Sequence, residues 1–345
     1  MIFCGDFVYP FTDANSLIFQ LGWDFISTPK ILNFESTLDY LNGSRGLLKT
    51  GLFSTKCSLD IMNFLNVKCA ALANNHVTDF DFDVPSFISA FEANGIEIVG
   101  FGNTIKDAAG YFKYEDERLV VLNFGWETIK CEPADLTGRG VNPYQYSYVE
   151  NKVRDVRALF PDYKIVLFLH WNYEFENLPL PADRMFAHHL IDMGVDGIFG
   201  HHPHIINPLE IYNRKPIFYS LGNFYFPQMM YGDVEISFRE NALFGISVDY
   251  HGDVERCKIY LHRQQADGGV VELLKCYDIQ TWYETSYNIP LNGMDDKEYL
   301  HFYKHHHFHK KKLLPIYTDY RKSVLNRGFD KYVLFRQKFI DLIKR

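Results

Sequence analysis

The 345-residue sequence has few cysteines, and none of them are paired in a metal-binding spacing. The six stand far apart and form no Cys-x-x-Cys motif: they are Cys4, Cys57, Cys69, Cys131, Cys257 and Cys276. This distribution excludes a zinc ribbon and gives no sign of a disulfide framework. We therefore expect reduced thiols and a cytoplasmic protein.

Long apolar runs and a targeting sequence are also lacking. No stretch reaches the roughly 18 apolar residues that a membrane-spanning helix needs. Met1 leads directly into Ile-Phe-Cys-Gly-Asp, without the basic and apolar regions of a signal peptide. If Met1 is the native start, we expect a protein that is neither exported nor membrane-spanning.

Positive charge is scarce before residue 301. The chain carries 35 Lys/Arg and 43 Asp/Glu, of which residues 301–345 hold twelve basic and three acidic side chains, leaving 23 and 40 before them. An acidic body argues against nucleic acid as the main partner and suits a carboxylate-lined cation site. The basic tail contains the run KHHHFHKKK over 304–312 and a predicted helix over 329–345. We expect it to pack on the body or on a partner, with contact to a membrane surface or an anionic polymer as the less favoured alternative.

The chain is rich in apolar and aromatic residues and alternates between strand-like and helix-like patterns. With 47% hydrophobic residues it can bury a full core. The patterns predict an α/β domain over residues 1–294 and a basic helical extension over 295–345. Predicted strands are 2–8, 30–35, 69–74, 96–100, 164–170 and 196–199, predicted helices 15–26, 59–67, 85–93, 148–160 and 183–193, and predicted antiparallel pairs 110–126, 209–219 and 242–263.

Three histidines follow the predicted buried strand 196–199, in the segment Gly200-His201-His202-Pro203-His204. In an extended backbone, His202 and His204 would point to the same side, and Pro203 would stiffen their separation. Two imidazoles on one side suit zinc, iron, nickel or copper, and manganese if carboxylates join them. A histidine pair satisfied in the core or exposed on the surface is the alternative for this segment alone.

Metal-capable residues recur at the ends of apolar strands: they are Asp6, Glu35, Asn75 and His76, His170, and the histidines at 201, 202 and 204. Ligands of α/β sheets collect at the carboxyl ends of strands. This recurrence predicts a centre of two divalent ions, manganese, iron or zinc, with Asp6 or Glu35 bridging and Asn75 and histidines as terminal ligands. His76 is then available as a general acid or to orient the substrate. A lone carboxylate after a strand would more simply be a cap or turn residue.

The motifs resemble those of the CapA-type bacterial capsule synthesis family, also called poly-γ-glutamate capsule proteins. The resemblance covers about residues 1–230, in order: Gly5-Asp6, Asn33-Phe34-Glu35, Ala71-Leu72-Ala73-Asn74-Asn75-His76, Gly140-Val141-Asn142-Pro143, His170-Trp171 with Glu174, Gly200-His201-His202-Pro203-His204, and Tyr219-Ser220-Leu221-Gly222-Asn223-Phe224. The family is similar to calcineurin-like metallophosphoesterases. The resemblance therefore implies a four-layer αββα sandwich of two mixed sheets with a two-metal centre at the strand ends.

The same likeness implies roles for single residues. Asn75-His76 corresponds to a Gly-Asn-His motif, His170 to an isolated histidine, and His202-Pro203-His204 to a Gly-His-x-His motif, while Asp6 and Glu35 stand for two aspartate motifs. Because of the extra histidine, His201 remains an alternative to His202 as the ligand.

Further residues near these motifs are candidates for substrate contact. Trp171 is either a substrate platform or a core aromatic, Glu174 and Asn223 lie in family motifs, and Gly222 is expected to supply an unusual φ. Arg139 could bind a phosphate or carboxylate through its planar fork, or it could be a solvated loop residue. The sequence departs from the usual His-Trp-Gly and Glu-Tyr of the family at Asn172 and Phe175.

Together the ligand series predicts a metal-dependent hydrolase of the phosphoesterase type. Its substrate would be an anionic or phosphorylated intermediate or polymer, and the capsule or cell-surface polysaccharide context comes from the resemblance. Two alternatives remain: hydrolysis or transfer at γ-glutamyl amide bonds, and a non-catalytic assembly factor. In the last case the basic tail would dock on a surface-polymer synthesis complex or on a membrane.

Overall fold

The computed structural model describes residues 1–38, 51–231, 234–236, 239–308 and 313–343. Its strands are β1 (Ile2–Phe7), β2 (Ile18–Gln20), β3 (Lys30–Phe34), β4 (Thr37–Leu38), β5 (Phe53–Ser54), β6 (Val67–Ala71), β7 (Glu97–Val99), β8 (Phe101–Gly102), β9 (Phe112–Tyr114), β10 (Leu119–Gly125), β11 (Gly140–Val141), β12 (Lys164–His170), β13 (Gly197–His201), β14 (Leu209–Tyr212), β15 (Lys215–Phe218), β16 (Asn223–Tyr225), β17 (Met229–Tyr231), β18 (Val234–Ile236), β19 (Phe244–Asp249), β20 (Lys258–Gln264) and β21 (Val270–Asp278).

The helices alternate with the strands through most of the chain. They are α1 (Trp23–Ser27), α2 (Cys57–Phe64), α3 (Val84–Glu92), α4 (Ile105–Ala108), α5 (Tyr146–Leu159), α6 (Pro181–Asp192), α7 (Ile279–Tyr283), α8 (Asp296–His306) and α9 (Ser323–Ile343). Short 3₁₀ segments occur at Ala14–Ser16, Glu115–Glu117, Glu127–Ile129, Glu240–Leu243 and Val254–Arg256.

Two large mixed sheets dominate the described part of the chain. The first has the order β2-β21-β20-β19-β1-β3-β6-β7, with β16 also pairing with β1. Its strands β1, β3, β6 and β7 are parallel, whereas β19 to β21 form an antiparallel meander. The second has the order β14-β15-β13-β12-β10-β9, parallel in its centre and antiparallel at both edges. The expected mixed α/β architecture is confirmed.

The two large sheets pack against each other through aromatic and aliphatic side chains. The rings of Phe3 in β1 and Phe199 in β13 stack with centroids 4.2 Å apart and nearly parallel planes. Alternate strand residues point the other way, toward helices: Phe34 in β3 meets Phe91 of α3 edge to face. This packing brings the carboxyl ends of β1 and β3 close to those of β12 and β13.

The helix predicted over residues 15–26 is wrong. This segment contains the 3₁₀ turn Ala14–Ser16, the edge strand β2 and the short helix α1. β2 pairs in parallel with β21, Ile18 opposite Val270, so tertiary pairing overrides the helical spacing of its apolar residues. Gly22 then has φ +65°, which separates β2 from α1.

The C-terminal segment packs on the body through buried side chains. Tyr299 of α8 is buried and donates a hydrogen bond to the carbonyl of Pro179 at 2.6 Å. Asp330 of α9 accepts hydrogen bonds from Thr128 and Tyr317. α9 begins six residues before its predicted start, because Gly328 is accommodated inside the helix. Residues 309–312 of the basic run lie outside the described part.

The helices of the described residues include none that is both long enough and apolar enough to cross a membrane. The six cysteines are free thiols.

Gly200 in β13 provides a test of the packing near the strand ends. A Cβ atom there would lie 2.1 Å from the carbonyl oxygen of Tyr219 and 2.4 Å from Nε1 of Trp171, which donates a hydrogen bond to that same oxygen. We expect Gly200→Ala to lower the free energy of unfolding by about 1–3 kcal/mol, as overpacking does elsewhere. Urea denaturation followed by tryptophan fluorescence measures this change.

The matched control is Gly328→Ala in α9, where nothing lies within 4 Å of the added Cβ. Because alanine is the better helix former, this variant should be stabilised by about 0.5–1 kcal/mol. Unchanged stability of Gly200→Ala would contradict the close approach of β13 to Tyr219 and Trp171.

Candidate metal centre

Two groups of potential ligands in the described part of the chain share one carboxylate, Glu35. One group consists of Glu35, His170 and His202, and the other of Asp6, Glu35 and His204. Within each group the ligand atoms lie within 4.8 Å of one another, and all five side chains are buried. Of the two carboxylates that the sequence suggested as a bridge, Glu35 is the one common to both groups.

The two large sheets each contribute part of this centre. Asp6 lies near the end of β1, opposite Asn33 of β3 and Asn223 of β16. Glu35 follows β3, and its backbone N–H donates to the carbonyl of Phe7 at 3.0 Å. His170 is the last residue of β12 in the second sheet. The ligands therefore meet where the carboxyl ends of parallel strands share an edge.

Asn33 is a central residue that the sequence analysis did not single out. Its Nδ2 donates to Oδ1 of Asp6 at 2.8 Å and lies 3.5 Å from Oε2 of Glu35. Its Oδ1 accepts from Nδ2 of Asn74 at 3.3 Å. Its position two residues before Glu35 in an extended chain was the available signal, since such residues share a face of the strand.

The histidine segment does not have the extended backbone predicted for it. His202 and His204 have φ values of +91° and +58°, so both lie at positive φ, where non-glycine residues are uncommon. Their rings nevertheless lie 6.0 Å apart, on the same side of the loop. The backbone N–H of His202 donates to Oδ2 of Asp6 at 3.4 Å. Strained conformations of this kind occur where surrounding contacts fix them, often at functional sites.

The structure places His201 and His202 in different environments. Nε2 of His201 lies 3.2 Å from the carbonyl oxygen of Cys4, and its ring packs on Phe168 with centroids 4.1 Å apart. Burial lowers the pKa of His201. His201, the last residue of β13, faces the space between the sheets, whereas His202 follows the strand at positive φ and belongs to one of the two groups of potential ligands.

Asn223 and Asn75 contact the histidines of the centre. Oδ1 of Asn223 lies 3.0 Å from Nδ1 of His204, while its Nδ2 donates to the carbonyl of Ala242. Oδ1 of Asn75 lies 2.7 Å from Nε2 of His170. Asn223 therefore orients the imidazole of His204, which is a candidate ligand. Gly222, the residue before Asn223, has the unusual φ that was expected, +68°.

Burial of two carboxylates so close together makes the electrostatics of the centre uneven. Burial and the charge of Asp6 raise the pKa of Glu35 well above its usual value. Burial acts in the same direction on Asp6, but the hydrogen bond from His204 and the nearby imidazoles bring the pKa of Asp6 down to about 2. Burial opposes protonation of His204, yet the charges of Glu35 and Asp6 raise the pKa of His204 to about 10. The two buried carboxylates thus favour positive charge beside them.

The surroundings of Glu35 indicate whether a metal ion fits at this site. Its Oε1 is buried and has no hydrogen-bond partner among the described residues, although Nε2 of His170 lies 3.4 Å away and Nε2 of His204 3.8 Å away. Burial also lowers the pKa of His170 well below its usual value, which favours the neutral, ligating imidazole. Carboxylates, imidazoles and an amide oxygen are a suitable donor set for manganese, iron or zinc. The residues present therefore fit divalent ions.

His76 stands beside the centre in a loop held by Asn74. Oδ1 of Asn74 accepts from the backbone N–H groups of His76 and Val77 at 3.1 and 3.0 Å. Nδ1 of His76 lies 2.6 Å from Oδ2 of Asp79. This contact fixes the imidazole and holds a proton on Nδ1, as in other histidine–carboxylate pairs. Asp79 was not predicted, because only the fold of the loop brings it to His76.

The predicted substrate residues occupy different environments. Trp171 is 1% exposed and donates to Tyr219, which is the placement of a core aromatic. Arg139 donates to the carbonyl of Phe82 and to Asp81, and its guanidinium lies 4.6 Å from the Phe82 ring centroid. It thereby joins the Gly-rich loop to the segment after His76. Glu174 is exposed, and its role stays a prediction.

Asn172 explains how the chain departs from the family pattern after Trp171. Its φ is +67°, a conformation that glycine adopts freely and that asparagine tolerates better than most residues. Its Nδ2 donates to the carbonyl of Leu178 at 2.9 Å. Asparagine at position 172 is therefore compatible with a backbone conformation that glycine adopts freely.

An exposed cation lies at the rim of the centre. The guanidinium of Arg239 lies 5.5 Å from the ring centroid of Phe175 and 4.7 Å from that of Phe308. The Phe175 ring in turn lies 6.1 Å from that of His204. The side chain of Arg239 is exposed. No sequence motif marked Arg239, since only the fold brings it near the histidines.

Comparison with known proteins places these features in a family. A model described as "Bacterial capsule synthesis protein PGA_cap" matches residues 5–228. The chain is 31% identical over 201 residues to the PGA biosynthesis protein CapA of Bacillus subtilis, covering 57% of this chain and 52% of that protein. It is 34% identical over 166 residues to the capsule biosynthesis protein CapA of Bacillus anthracis, covering 46% of this chain and 39% of that protein.

A further relative is a probable polyglutamine synthesis accessory protein of Mycobacterium tuberculosis, 30% identical over 165 residues, which are 44% of this chain and 43% of that protein. The chain thus spans about half, or less, of the length of the curated relatives it matches. The family match runs from Gly5 to beyond Asn223 and includes every candidate metal ligand. The chain therefore belongs to the bacterial capsule synthesis (PGA_cap) family.

Proposed function

We propose that this protein is a metal-dependent hydrolase of the phosphoesterase type that acts on an anionic or phosphorylated intermediate or polymer of capsule assembly. The observation that carries the proposal is the buried pair of ligand groups that share Glu35, whose Oε1 accepts no hydrogen bond from the part of the chain that the structure describes. The polymer context is supported by relatives named for PGA and capsule biosynthesis.

The placement of the layers supports a metallophosphoesterase-like αββα arrangement. α2 and α3 contact β6 and β7 of the first large sheet, and α5 contacts β12 of the second. The face-to-face contact of Phe3 and Phe199 lies between the sheets. In such a sandwich the metal centre is expected at the common edge, where Asp6, Glu35 and His170 lie.

The ions would be held by Asp6, Glu35, His170, His202 and His204, with Asn75 adjoining. When bound, divalent ions would polarise the oxygens of the scissile group and lower the pKa of water. Arg239 would bind a non-reacting anionic group of the substrate, since its planar fork suits phosphate and carboxylate. His76 would donate a proton from Nε2 to the leaving oxygen, while Asp79 holds the proton on Nδ1.

The same residues could act on a different type of chemical bond, or could have a non-catalytic role. Relatives named for PGA biosynthesis point to γ-glutamyl amides as the alternative substrate, and the relative named as an accessory protein points to a non-catalytic role. Assays of phosphoesters and of γ-glutamyl peptides, each with manganese, iron and zinc, separate these possibilities. Turnover of γ-glutamyl peptides alone would replace the phosphoesterase proposal, and no turnover on any substrate would favour the accessory role.

The double variant His202→Ala/His204→Ala tests the centre itself. It removes one ligand from each group, so we expect the metal content of untagged protein to fall below half of the wild-type value in elemental analysis. The control is His301→Ala/His305→Ala, an exposed pair one helical turn apart that could bind metal nonspecifically. If the His202→Ala/His204→Ala variant kept the wild-type metal content, these two histidines would not be metal ligands.

His76→Gln tests proton donation to the leaving group. For a substrate with a poor leaving group, such as an alkyl phosphodiester, we expect kcat to fall about 10²- to 10³-fold with metal content unchanged. For a p-nitrophenyl ester, whose leaving oxygen needs no proton, kcat should change much less. The control is His189→Gln, which replaces an imidazole that pairs with Glu150 of α5. Equal losses on both substrates would rule out the general-acid role.

Arg239→Gln tests recognition of the anionic group. Loss of a charge-assisted contact should raise KM about tenfold with a smaller change in kcat. Arg239→Lys should restore part of the affinity, because the charge returns without the planar fork. Arg214→Gln, at an exposed turn, is the control. If Arg239→Gln leaves KM unchanged on every active substrate, Arg239 is not part of the binding site.

A further inference from the structure

α9 exposes an apolar stripe on the surface of the protein. At about 100° per residue its members fall within roughly one third of the helix circumference. They are Val324 (77% exposed), Leu325 (46%), Tyr332 (45%), Phe335 (72%) and Phe339 (56%). Large apolar side chains that are this exposed along one helix face mark an interaction surface.

The stripe is not the face that holds α9 on the body. The opposite face carries Asn326 and Val333, which are 4% and 7% exposed. Asp330, on the same side, accepts from Thr128 at 2.7 Å and from Tyr317 at 2.8 Å. Docking of α9 on the body therefore leaves the apolar stripe directed outward.

Basic residues flank the stripe. Arg327, Lys331 and Lys338 are exposed along one side of it, and Arg336 lies on the other. Leu313 is 78% exposed and adjoins the stripe, because its carbonyl accepts from the hydroxyl of Tyr332 at 3.3 Å. In the sequence, three lysines at 310–312 come immediately before Leu313. The surface thus combines apolar area with a strong positive charge.

We propose that the apolar stripe of α9 docks on an anionic lipid surface. A helix with aromatic residues on one face and Lys/Arg along its borders can insert the apolar face at the level of the headgroups while the cations contact anionic lipids. Long basic side chains reach the interface even when their stems lie on apolar surface. A second copy of the chain would place these like charges against each other, so charge complementarity favours the lipid surface.

A series of contacts connects α9 to the residues around the metal centre. Described residues between α8 and α9 pack at the rim of the centre: the guanidinium of Arg239 lies over the ring of Phe308, and the hydroxyl of Tyr173 donates to the carbonyl of Pro315. Tyr317, two residues further along the chain, packs edge to face on Trp126. A lipid-bound α9 is therefore coupled by described contacts to the residues around the centre. The docking itself does not depend on the proposed hydrolysis.

Flotation of the full chain with vesicles tests the proposal. We expect binding to phosphatidylcholine vesicles containing about one third phosphatidylglycerol, little binding to pure phosphatidylcholine, and weaker binding as salt is raised. Phe335→Gln/Phe339→Gln should lower the partition coefficient at least about tenfold, because apolar side chains no longer enter the interface. Lys331→Gln/Lys338→Gln should lower it roughly tenfold on anionic vesicles.

The control is Leu136→Ser, which removes an apolar side chain that is 83% exposed outside this surface, and it should bind vesicles like the wild type. Circular dichroism and thermal unfolding verify that the α9 variants remain folded. Absence of wild-type binding to anionic vesicles, or binding that survives the Phe335/Phe339 changes, would overturn the proposal. So would a dimer in light scattering that those changes dissociate, which would assign the stripe to a second copy.

Discussion

The burial of two carboxylates at one point, Asp6 and Glu35, is the constraint on which the centre depends. An isolated buried charge is costly, and a second one of the same sign more so. The surrounding groups partly compensate for these charges. Asn33 donates a hydrogen bond to Asp6, and so does the backbone N–H of His202. The pKa of Glu35 is raised, and the pKa of His204 is raised as well. Such a site is poorly satisfied by protein groups alone and well suited to divalent cations.

The candidate ligands could be picked out from the sequence because they follow a simple rule. Buried parallel strands read as apolar runs, and polar residues that follow several of them converge at one sheet edge. Asp6, Glu35 and His170 needed no knowledge of loop conformation. Residues placed by loops were beyond this reasoning: Asp79 reaches His76 only through a local turn, and Arg239 only through stacking on two phenylalanines. The choice between His201 and His202 likewise depended on where β13 ends.

The segment beyond the family match is part of the same structure as the centre. The match ends at residue 228, whereas Arg239, Phe308 and α8 and α9 follow it. Tyr299 and Asp330 tie the two helices to the body through buried or half-buried hydrogen bonds. The candidate metal ligands thus lie within the family match, whereas Arg239 and the helices α8 and α9 lie beyond it. Tertiary packing also explains the failure at residues 15–26, where pairing of β2 with β21 decided the outcome.

The positive φ values of His202 and His204 have a consequence for the kind of ion the centre accepts. A loop held in an uncommon conformation by Pro203, Asp6 and Asn223 has little freedom to adjust its imidazoles to an incoming ion. If a metal binds here, such a loop would favour ions whose radius and preferred geometry match the spacing of the donor atoms. Discrimination among metals would come from fit rather than from raw affinity, which in the divalent series favours copper whatever the site.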